Sequence, residues 1–301
     1  MAIAMRAYEA RDGECISDLL ASQSPATPHL LDLPWRPSSH GVLPARDVVV
    51  CEDEAGELFG LAAWQQPWAA LDFFVRPGPT QHEVERRLFA WAMMRFQAMD
   101  EARGAPLPYW IDLRADDAER QALVTSHGFT LDEDYTYIHL RHPLAHLPEA
   151  ASLPDGITIR SLAGESEVAA YVALHRAVFQ SESMTVEWRA QTLRMPQYQP
   201  ALDLVAVTPE GPLAGFLVGW LDGARQLAQI EPMGVHPDFR GTGLARALLL
   251  EGLRRFRVAG ATEAVVETDN ERSPALRAYQ SAGFAPAHTI IRKGLWITRR
   301  V

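Results

Sequence analysis

The fold is decided by the stretch Ile230-Glu-Pro-Met-Gly-Val-His-Pro-Asp-Phe-Arg-Gly-Thr-Gly-Leu-Ala-Arg-Ala-Leu-Leu-Leu250. Its pattern predicts a strand that ends near Val235, then a turn, then a helix that begins within residues 240–245. Gly241 and Gly243 lack the β-carbons that would keep a ligand away from the backbone. The first amides of a helix have no intrahelical acceptor and lie at the positive end of the helix dipole. The stretch therefore predicts an anion site that suits a pyrophosphate lying across the start of the helix.

Two well-known phosphate motifs do not match this loop. A P-loop ends in Gly-Lys-Ser/Thr, whereas Leu244, Ala245 and Arg246 follow Gly243 here. The dinucleotide-binding fingerprint needs a third glycine where this chain has Arg246. On the loop alone, a phosphate site and a tight turn between strand and helix both remain open.

The chain also contains an internal repeat, because five elements of the second half recur in the same order in the first half. They are a hairpin ending in Trp, a short strand ending in Val-x-Pro, an amphipathic helix, a strand, and a helix followed by Gly-Phe. The matched landmarks are Trp64 and Trp220, Pro77 and Pro237, and Gly128 and Gly283. The nearly constant offset between these pairs favours a duplication over chance similarity between α/β segments.

The repeat predicts two domains of the same α/β architecture, each with a mixed, mostly antiparallel sheet flanked by helices. In each copy the predicted order is strand, helices, a meander of strands, helix, strand, helix and strand. A polar, proline-bearing stretch between residues 141 and 155 separates the copies. We therefore expect a first domain at residues 1–145 and a second at residues 155–301.

Composition limits the classes of function. The chain has 301 residues, with 28 Lys and Arg against 38 Asp and Glu, and a formal net charge of −10 at pH 7. Such an acidic chain is not expected to hold nucleic acid by bulk charge, although it suits a cationic small molecule. Two cysteines are too few for a disulfide framework. Without a long uncharged apolar run or a signal peptide, we expect a cytoplasmic protein that does not enter the membrane.

Three motifs of the second half together resemble the GNAT superfamily of N-acetyltransferases. Residues 240–245, Arg-Gly-Thr-Gly-Leu-Ala, are similar to the family's Arg/Gln-x-x-Gly-x-Gly/Ala motif. Residues 233–238 resemble the strand and turn before that motif, and residues 275–284 resemble the family's late helix with its tyrosine and terminal Gly-Phe. The resemblance covers about residues 204–294. With the repeat, it implies two tandem GNAT-like domains, a plan similar to that of the mycothiol synthases.

The resemblance implies acetyl-CoA as the co-substrate and no metal ion. It implies that the strand before the motif pairs its backbone with the pantetheine arm, and that amides at the helix start hold the pyrophosphate. The implied acetyl-CoA-binding residues are Met233, Gly234, Val235, Arg240, Gly241, Thr242, Gly243, Leu244, Ala245, Arg246 and Asn270. Asn270 departs from the family pattern, because its separation from Tyr279 is longer than the usual spacing.

The resemblance also points to catalytic residues. Tyr279 matches the family's tyrosine that protonates the departing CoA thiolate. A phenol suits this task because its ordinary pKa, about 10, lies above the thiol pKa of about 8.5. The general base is left open between Glu267, on the strand before the Tyr279 helix, and Glu231, two positions before Met233. Either carboxylate could instead act as a counter-charge for a cationic acceptor.

The first copy is expected to have lost this chemistry. Aligned on the Val-x-Pro landmarks, it has Glu83 at the position of Gly243, and aligned on Gly-Phe it has Val124 at the position of Tyr279. A glutamate would repel a pyrophosphate, and its backbone cannot approach a ligand as glycine can. We therefore expect that only the second domain binds CoA.

The resemblance implies an enzyme that transfers an acetyl group from acetyl-CoA to a primary amine by direct attack of the amine on the thioester. A small-molecule amine is the expected partner. The alternative is a non-catalytic acyl-CoA-binding or sensor protein, against which the retained Tyr279 argues. The sequence leaves open the identity of the acceptor, the length of the acyl chain and the oligomeric state.

Overall fold

The computed structural model describes residues 2–22, 42–65, 69–103, 109–149, 151–269 and 273–295. These residues form two compact units. The first unit contains the described residues up to Thr136 together with those from Thr289 onward, and the second contains Tyr137–His288. The chain therefore leaves the first unit once and returns to it in its last strand.

The secondary structure follows the predicted order in both halves. In the first half the elements are β1 (Ile3–Ala7), α1 (Asp12–Ala21), α2 (Pro44–Asp47), β2 (Val48–Asp53), β3 (Leu58–Gln65), β4 (Ala70–Val75), α3 (Gln81–Arg103), β5 (Tyr109–Arg114), α4 (Ala118–Ser126) and β6 (Thr130–Pro143). In the second half they are β7 (Thr158–Ser161), α5 (Val168–Phe179), α6 (Val186–Thr192), β8 (Asp203–Val207), β9 (Leu213–Asp222), β10 (Leu227–Val235), α7 (Leu244–Val258), β11 (Glu263–Asp269), α8 (Ser273–Ser281) and β12 (Ala285–Leu295). Within the described ranges, no helix is both long enough and apolar enough to cross a bilayer.

The sheet of the first unit has the strand order β1, β2, β3, β4, β5, followed by the last part of β12. Neighbouring strands are antiparallel except β4 and β5, which are parallel where Ala70 pairs with Trp110. The last part of β12 pairs antiparallel with β5, from Ile290 opposite Arg114 to Leu295 opposite Tyr109. The predicted mixed, mostly antiparallel sheet is therefore confirmed for this unit.

The sheet of the second unit has the order β7, β8, β9, β10, β11, followed by residues 137–143 of β6. Only β10 and β11 are parallel, and the other neighbours are antiparallel. Residues 137–143 of β6 pair with the whole of β11, from Tyr137 opposite Asp269 to Pro143 opposite Glu263. This sheet also has the predicted mixed, mostly antiparallel character.

The two copies of the repeat exchange their final strands. The end of β6, from the first copy, completes the second unit, and the end of β12, from the second copy, completes the first unit. The repeat predicted that each copy ends in a strand but did not predict the partners of these strands, because any strand can satisfy the backbone groups of a sheet edge. The boundary between residues 145 and 155 stays a prediction.

Helices cover both faces of the second sheet. On one face, α7 buries Leu244, Leu248 and Leu253 completely, in the same apolar cluster as Leu217 of β9. On the other face, the ring of Phe216 contacts Tyr171 of α5 at a centroid distance of 4.9 Å. Successive side chains of a strand point to opposite faces, so α7 and α5 lie on opposite sides of β9. The site described next lies between these two layers.

Candidate active site

Strands β10 and β11 are paired over only part of their length. Residues 227–229 pair in parallel with residues 263–265. Beyond this point β10 continues its pairing with β9 up to Val235, and β11 continues its pairing with β6 up to Asp269. Within the described residues, no ladder joins the second half of β10 to the second half of β11. An extended ligand can therefore pair with the backbone of β10 in this gap as an added strand.

Strand β10 has an irregularity where the gap opens. Its register against β9 shifts between Ile230 and Met233, and this bulge contains Glu231. Helix α5 approaches β10 closely just beyond it, because a β-carbon on Gly234 would lie 2.6 Å from Cγ1 of Val178. A side chain at Gly234 would therefore force α5 away from the strand.

The glycine loop begins α7 with its amides accessible. Gly241 and Gly243 have φ of +77° and +86°, in the left-handed region that glycine adopts without a steric penalty. Gly243 is the N-cap residue, and no side chain caps the helix. A β-carbon built on either glycine would meet no atom within 4 Å. Since Leu244 is fully buried behind the loop, the exposed amides are held in a fixed position.

Three polar side chains anchor the loop. The Thr242 hydroxyl donates to the carbonyl oxygen of Phe239 at 2.8 Å, which closes the turn. The Arg240 guanidinium donates to the carbonyl of Val178 at 3.4 Å, and that of Arg246 donates to the carbonyl of Ser281 at 3.2 Å. Two cationic groups thus flank the positive end of the α7 dipole, an arrangement that favours a phosphate dianion or a pyrophosphate.

Tyr279 projects from α8 into the apolar layer between α7, α8 and the sheet. It is 7% exposed and belongs to the cluster that contains Leu244 and Val266. Its ring meets that of Phe284 edge to face, with a centroid distance of 5.9 Å. This packing fixes the ring of Tyr279.

Glu267 of β11 lies on the opposite face from Tyr279. Ala264 and Val266 belong to the Tyr279 cluster, and side chains alternate along a strand, so Glu267 points to the other side. There it is directly opposite His139 of β6, and the two side chains are joined by a hydrogen bond of 3.1 Å between Nδ1 and Oε1.

The environment of Glu267 is largely buried. The side chains of Glu267 and His139 are 10% and 4% exposed. The ring of His288 stacks on that of His139 at a centroid distance of 4.4 Å, with an angle of 10° between the planes. The imidazole of His139 is therefore held between a carboxylate and a second imidazole, which fixes the orientation of Glu267.

Glu231 lies near α5. Burial raises the pKa of Tyr171 well above its ordinary value, and the charge of Glu231 adds to this effect. The carbonyl oxygen of Glu231 accepts a hydrogen bond of 2.7 Å from the Trp220 indole. Glu267 thus lies on the other face of β11 from Tyr279, and Glu231 is near enough to Tyr171 for its charge to act on that phenol.

The strand, the glycine loop and the tyrosine helix of this chain all lie in the region that matches a known family. The sequence model of the acetyltransferase (GNAT) family matches residues 159–284. The mycothiol acetyltransferase of Thermomonospora curvata is 30% identical over 222 residues, which cover 72% of this chain and 70% of the relative. The chain belongs to the GNAT acetyltransferase family. The mycothiol acetyltransferase of Kineococcus radiotolerans is 34% identical over 206 residues, covering 65% of this chain and 64% of the relative.

Solved structures support the fold of this acetyltransferase over almost the whole chain. A GCN5-related N-acetyltransferase from Sphaerobacter thermophilus has a TM-score of 0.72 at 21% identity, covering 99% of this chain and 97% of that one. A tandem GNAT protein from the clavulanic acid biosynthesis pathway has a TM-score of 0.68 at 17% identity, covering 98% of both chains. The matches to curated relatives are shorter and span between about half and seven-tenths of those proteins.

The residues of the acetyltransferase fit acetyl-CoA, which this family uses as its co-substrate. The uncapped start of α7, with open space above Gly241 and Gly243, suits the pyrophosphate. The gap between β10 and β11 suits the extended pantetheine arm. Asn270 lies outside the described residues. Among those residues, no group of three or more His, Cys, Asp or Glu side chains could hold a metal ion.

Three polar residues of this site were not predicted from the sequence. His139 contacts Glu267 because β6 pairs with β11 in the second unit. No pattern in the sequence predicted that this strand of the first copy would join the second unit. Tyr171 and His175 are buried on α5. Their helical spacing was visible, but their burial as polar groups depends on packing.

Proposed function

We propose that this acetyltransferase transfers the acetyl group of acetyl-CoA to the primary amine of a small molecule by direct attack on the thioester. The single observation that carries the proposal is the gap between β10 and β11, which leads to the uncapped glycine start of α7. The gap presents backbone groups to an extended arm, and the helix start presents amides to a pyrophosphate. Both features lie in the second unit.

Tyr279 is the proposed general acid for the CoA thiolate. Tyr279 lies in the apolar cluster of the second unit, and a phenol suits the role because it stays protonated near pH 7 and so has a proton to donate.

Glu267 is the proposed general base, with His139 as its positioning residue. Support comes from the 3.1 Å hydrogen bond between them and from their low exposure, which together hold the carboxylate in one orientation. Glu231, in the bulge of β10, is then the proposed counter-charge for the acceptor ammonium. Direct attack needs the amine to lose a proton first, and a fixed carboxylate can accept it directly or through a water molecule.

The first half of the chain is proposed not to bind acetyl-CoA. Helix α3 occupies the place of α7 in the repeat, and its first turn contains Glu83. The Glu83 carboxylate forms an ion pair of 2.5 Å with Arg87 one turn later. An acidic first turn occupies the positive end of the helix and repels a phosphate, unlike the glycine start of α7.

The acceptor is proposed to be a small amine. The relatives from Thermomonospora curvata and Kineococcus radiotolerans are mycothiol acetyltransferases, so a mycothiol-related amine is one candidate. Aminoglycosides, polyamines and protein N-termini are other candidates. The net negative charge of the chain favours the diffusional encounter with a cationic acceptor. We also predict that the enzyme is cytoplasmic and has neither a nucleic-acid nor a membrane partner.

Thiol release from acetyl-CoA in the presence of an amine panel tests the proposal. We expect release that depends on one class of amine and yields the acetylated amine in equal amount. Binding of acetyl-CoA without transfer to any amine would favour the non-catalytic sensor instead. Release without acetylated amine would indicate hydrolysis of the thioester and would contradict direct attack by an amine.

A further inference from the structure

Two buried polar atoms of α5 lack a hydrogen-bond partner among the described residues. They are the hydroxyl of Tyr171 and Nδ1 of His175, one helical turn apart. Tyr171 is 0% exposed and His175 is 8% exposed. Proteins pair nearly all such groups, because leaving one buried and unpaired is destabilising. The two atoms together therefore point to a polar group that occupies this place during function.

Next to these two atoms lies a buried polar network, in which Arg189 Nε and Asp203 Oδ1 also lack a hydrogen-bond partner among the described residues. The hydroxyl of Tyr198 donates to Oδ2 of Asp203 at 2.7 Å. The same carboxylate forms a buried ion pair with Arg189, whose guanidinium lies 3.9 Å from the ring centre of Tyr171. Tyr198 and Arg189 both donate to Oδ2 of Asp203, and the Tyr171 hydroxyl takes no part in these bonds.

The unpaired atoms lie on the face of β9 and β10 that α5 covers. Phe216 of β9, opposite Gly234 in the register, has its ring 4.9 Å from that of Tyr171 and 5.8 Å from that of His175. The charge of Glu231 acts on Tyr171. Both atoms are therefore on the α5 side of β10, at the level of the bulge and of the strand segment proposed to hold the thioester arm.

The chemistry of the two groups selects an uncharged ligand group. Burial, followed by the charges of Arg189 and Arg176, lowers the pKa of His175 to about 4, so the imidazole is neutral near pH 7. A neutral imidazole and a phenol can each donate or accept one hydrogen bond. The guanidinium of Arg189 at the ring of Tyr171 makes the place unfavourable for a second cation. A hydroxyl or an amide meets these conditions, and an ammonium does not.

We propose that Tyr171 and His175 form an acceptor subsite that binds an uncharged hydroxyl or amide group of the amine substrate. The reacting amine of the same molecule then lies toward the thioester and Glu231. The inference rests on the proposed function and adds a substrate class to it: amines that carry a neutral hydrogen-bonding group near the reacting nitrogen.

Thermal unfolding of two matched tyrosine variants tests whether the Tyr171 hydroxyl is unpaired in the free protein. Tyr171→Phe removes no bond in the described structure, so its Tm is expected to equal or exceed that of the wild type. Tyr198→Phe removes the 2.7 Å bond to Asp203 and is expected to lower Tm. A loss of Tm in Tyr171→Phe as large as in Tyr198→Phe would show that the hydroxyl already has a partner, which overturns the subsite.

Kinetics with matched amine pairs test the substrate class. The pairs are glucosamine with cyclohexylamine, ethanolamine with ethylamine, and glycinamide with propylamine. We expect the wild type to prefer the hydroxyl or amide member of at least one pair. Tyr171→Phe should lower kcat/KM for that member about five-fold, the size of one neutral hydrogen bond, and leave the other member unchanged.

The remaining outcomes separate the subsite from the proposed function. A wild type that acetylates both members of every pair equally well overturns the subsite and leaves acetyl transfer to amines in place. An equal loss for both members in Tyr171→Phe also overturns it, because a merely structural role would have that effect. A wild type that acetylates no amine, although it binds acetyl-CoA, contradicts the proposed function itself.

Discussion

At the scale of single residues, the hydroxyl of Tyr279 is the group expected to protonate the CoA thiolate. Its ring packs in the apolar cluster, so Tyr279→Phe removes the hydroxyl and leaves the packing in place. We expect kcat to fall about 100-fold or more, with the Kd for acetyl-CoA within about two-fold of the wild-type value. Steady-state thiol release and calorimetry measure the two quantities. An unchanged kcat would assign the proton to another group.

The two candidate carboxylates can be separated by substitutions that keep shape and remove charge. Glu267→Gln is expected to lower kcat about 100-fold, because the amine would no longer lose its proton to a fixed base. Glu231→Gln is expected to raise KM for a cationic amine and to change kcat little. His139→Gln should give a smaller loss of kcat than Glu267→Gln, as expected of a positioning residue. The reverse pattern for the two glutamates would make Glu231 the base.

Buried His175 predicts a specific pH dependence of stability. Its pKa is lowered from 6.5 to about 4, chiefly by burial. Below about pH 6.5 the unfolded chain binds a proton that the folded protein takes up only near its own lower pKa. The free energy of unfolding therefore decreases through this window as pH falls, by about 1.4 kcal/mol per pH unit at most. His175→Gln should reduce the loss between about pH 7 and about pH 5, measured by denaturant unfolding. An equal loss in both proteins would contradict the burial of a neutral imidazole.

At the scale of elements, the start of α7 can be tested against a glycine with similar backbone geometry. Gly243 and Gly211 have φ of +86° and +103°, and a β-carbon on either would meet no atom within 4 Å. Gly243→Glu and Gly211→Glu should therefore cost similar stability, about 1 to 2 kcal/mol from the strained backbone. Only Gly243→Glu should abolish acetyl-CoA binding, because it places a carboxylate at the helix start. Equal effects on binding, measured by calorimetry, would remove the loop from the site.

The elements of the site were predictable where their signals are local. The glycines before Leu244 and the apolar spacing after it predict α7 and its exposed start, and the strand before them was predicted to end near Val235. The neighbour of Glu267 was not predictable, because His139 is 128 positions away and comes from the other copy of the repeat. A repeat shows which segments form strands, whereas the edge that a final strand joins depends on long-range packing.

At the scale of the whole molecule, the exchanged strands predict that the two halves depend on each other. If the chain is divided at about residue 150, the first half lacks β12, which pairs with β5. The second half then lacks β6, which pairs with β11. We expect neither fragment alone to unfold cooperatively, and an equimolar mixture to regain a cooperative transition and thiol release. A fragment 155–301 that folds and turns over alone would contradict the functional importance of the exchange.

The acetyl-CoA stoichiometry of the intact chain tests most directly whether the site lies between β10, β11 and the start of α7. Isothermal titration calorimetry is expected to give one acetyl-CoA per chain. Gly243→Glu should abolish the binding heat, whereas Glu83→Gly, at the matching position of the first copy, should leave the ratio at one. Two acetyl-CoA molecules per chain, or binding that survives Gly243→Glu, would contradict a single site in the second unit.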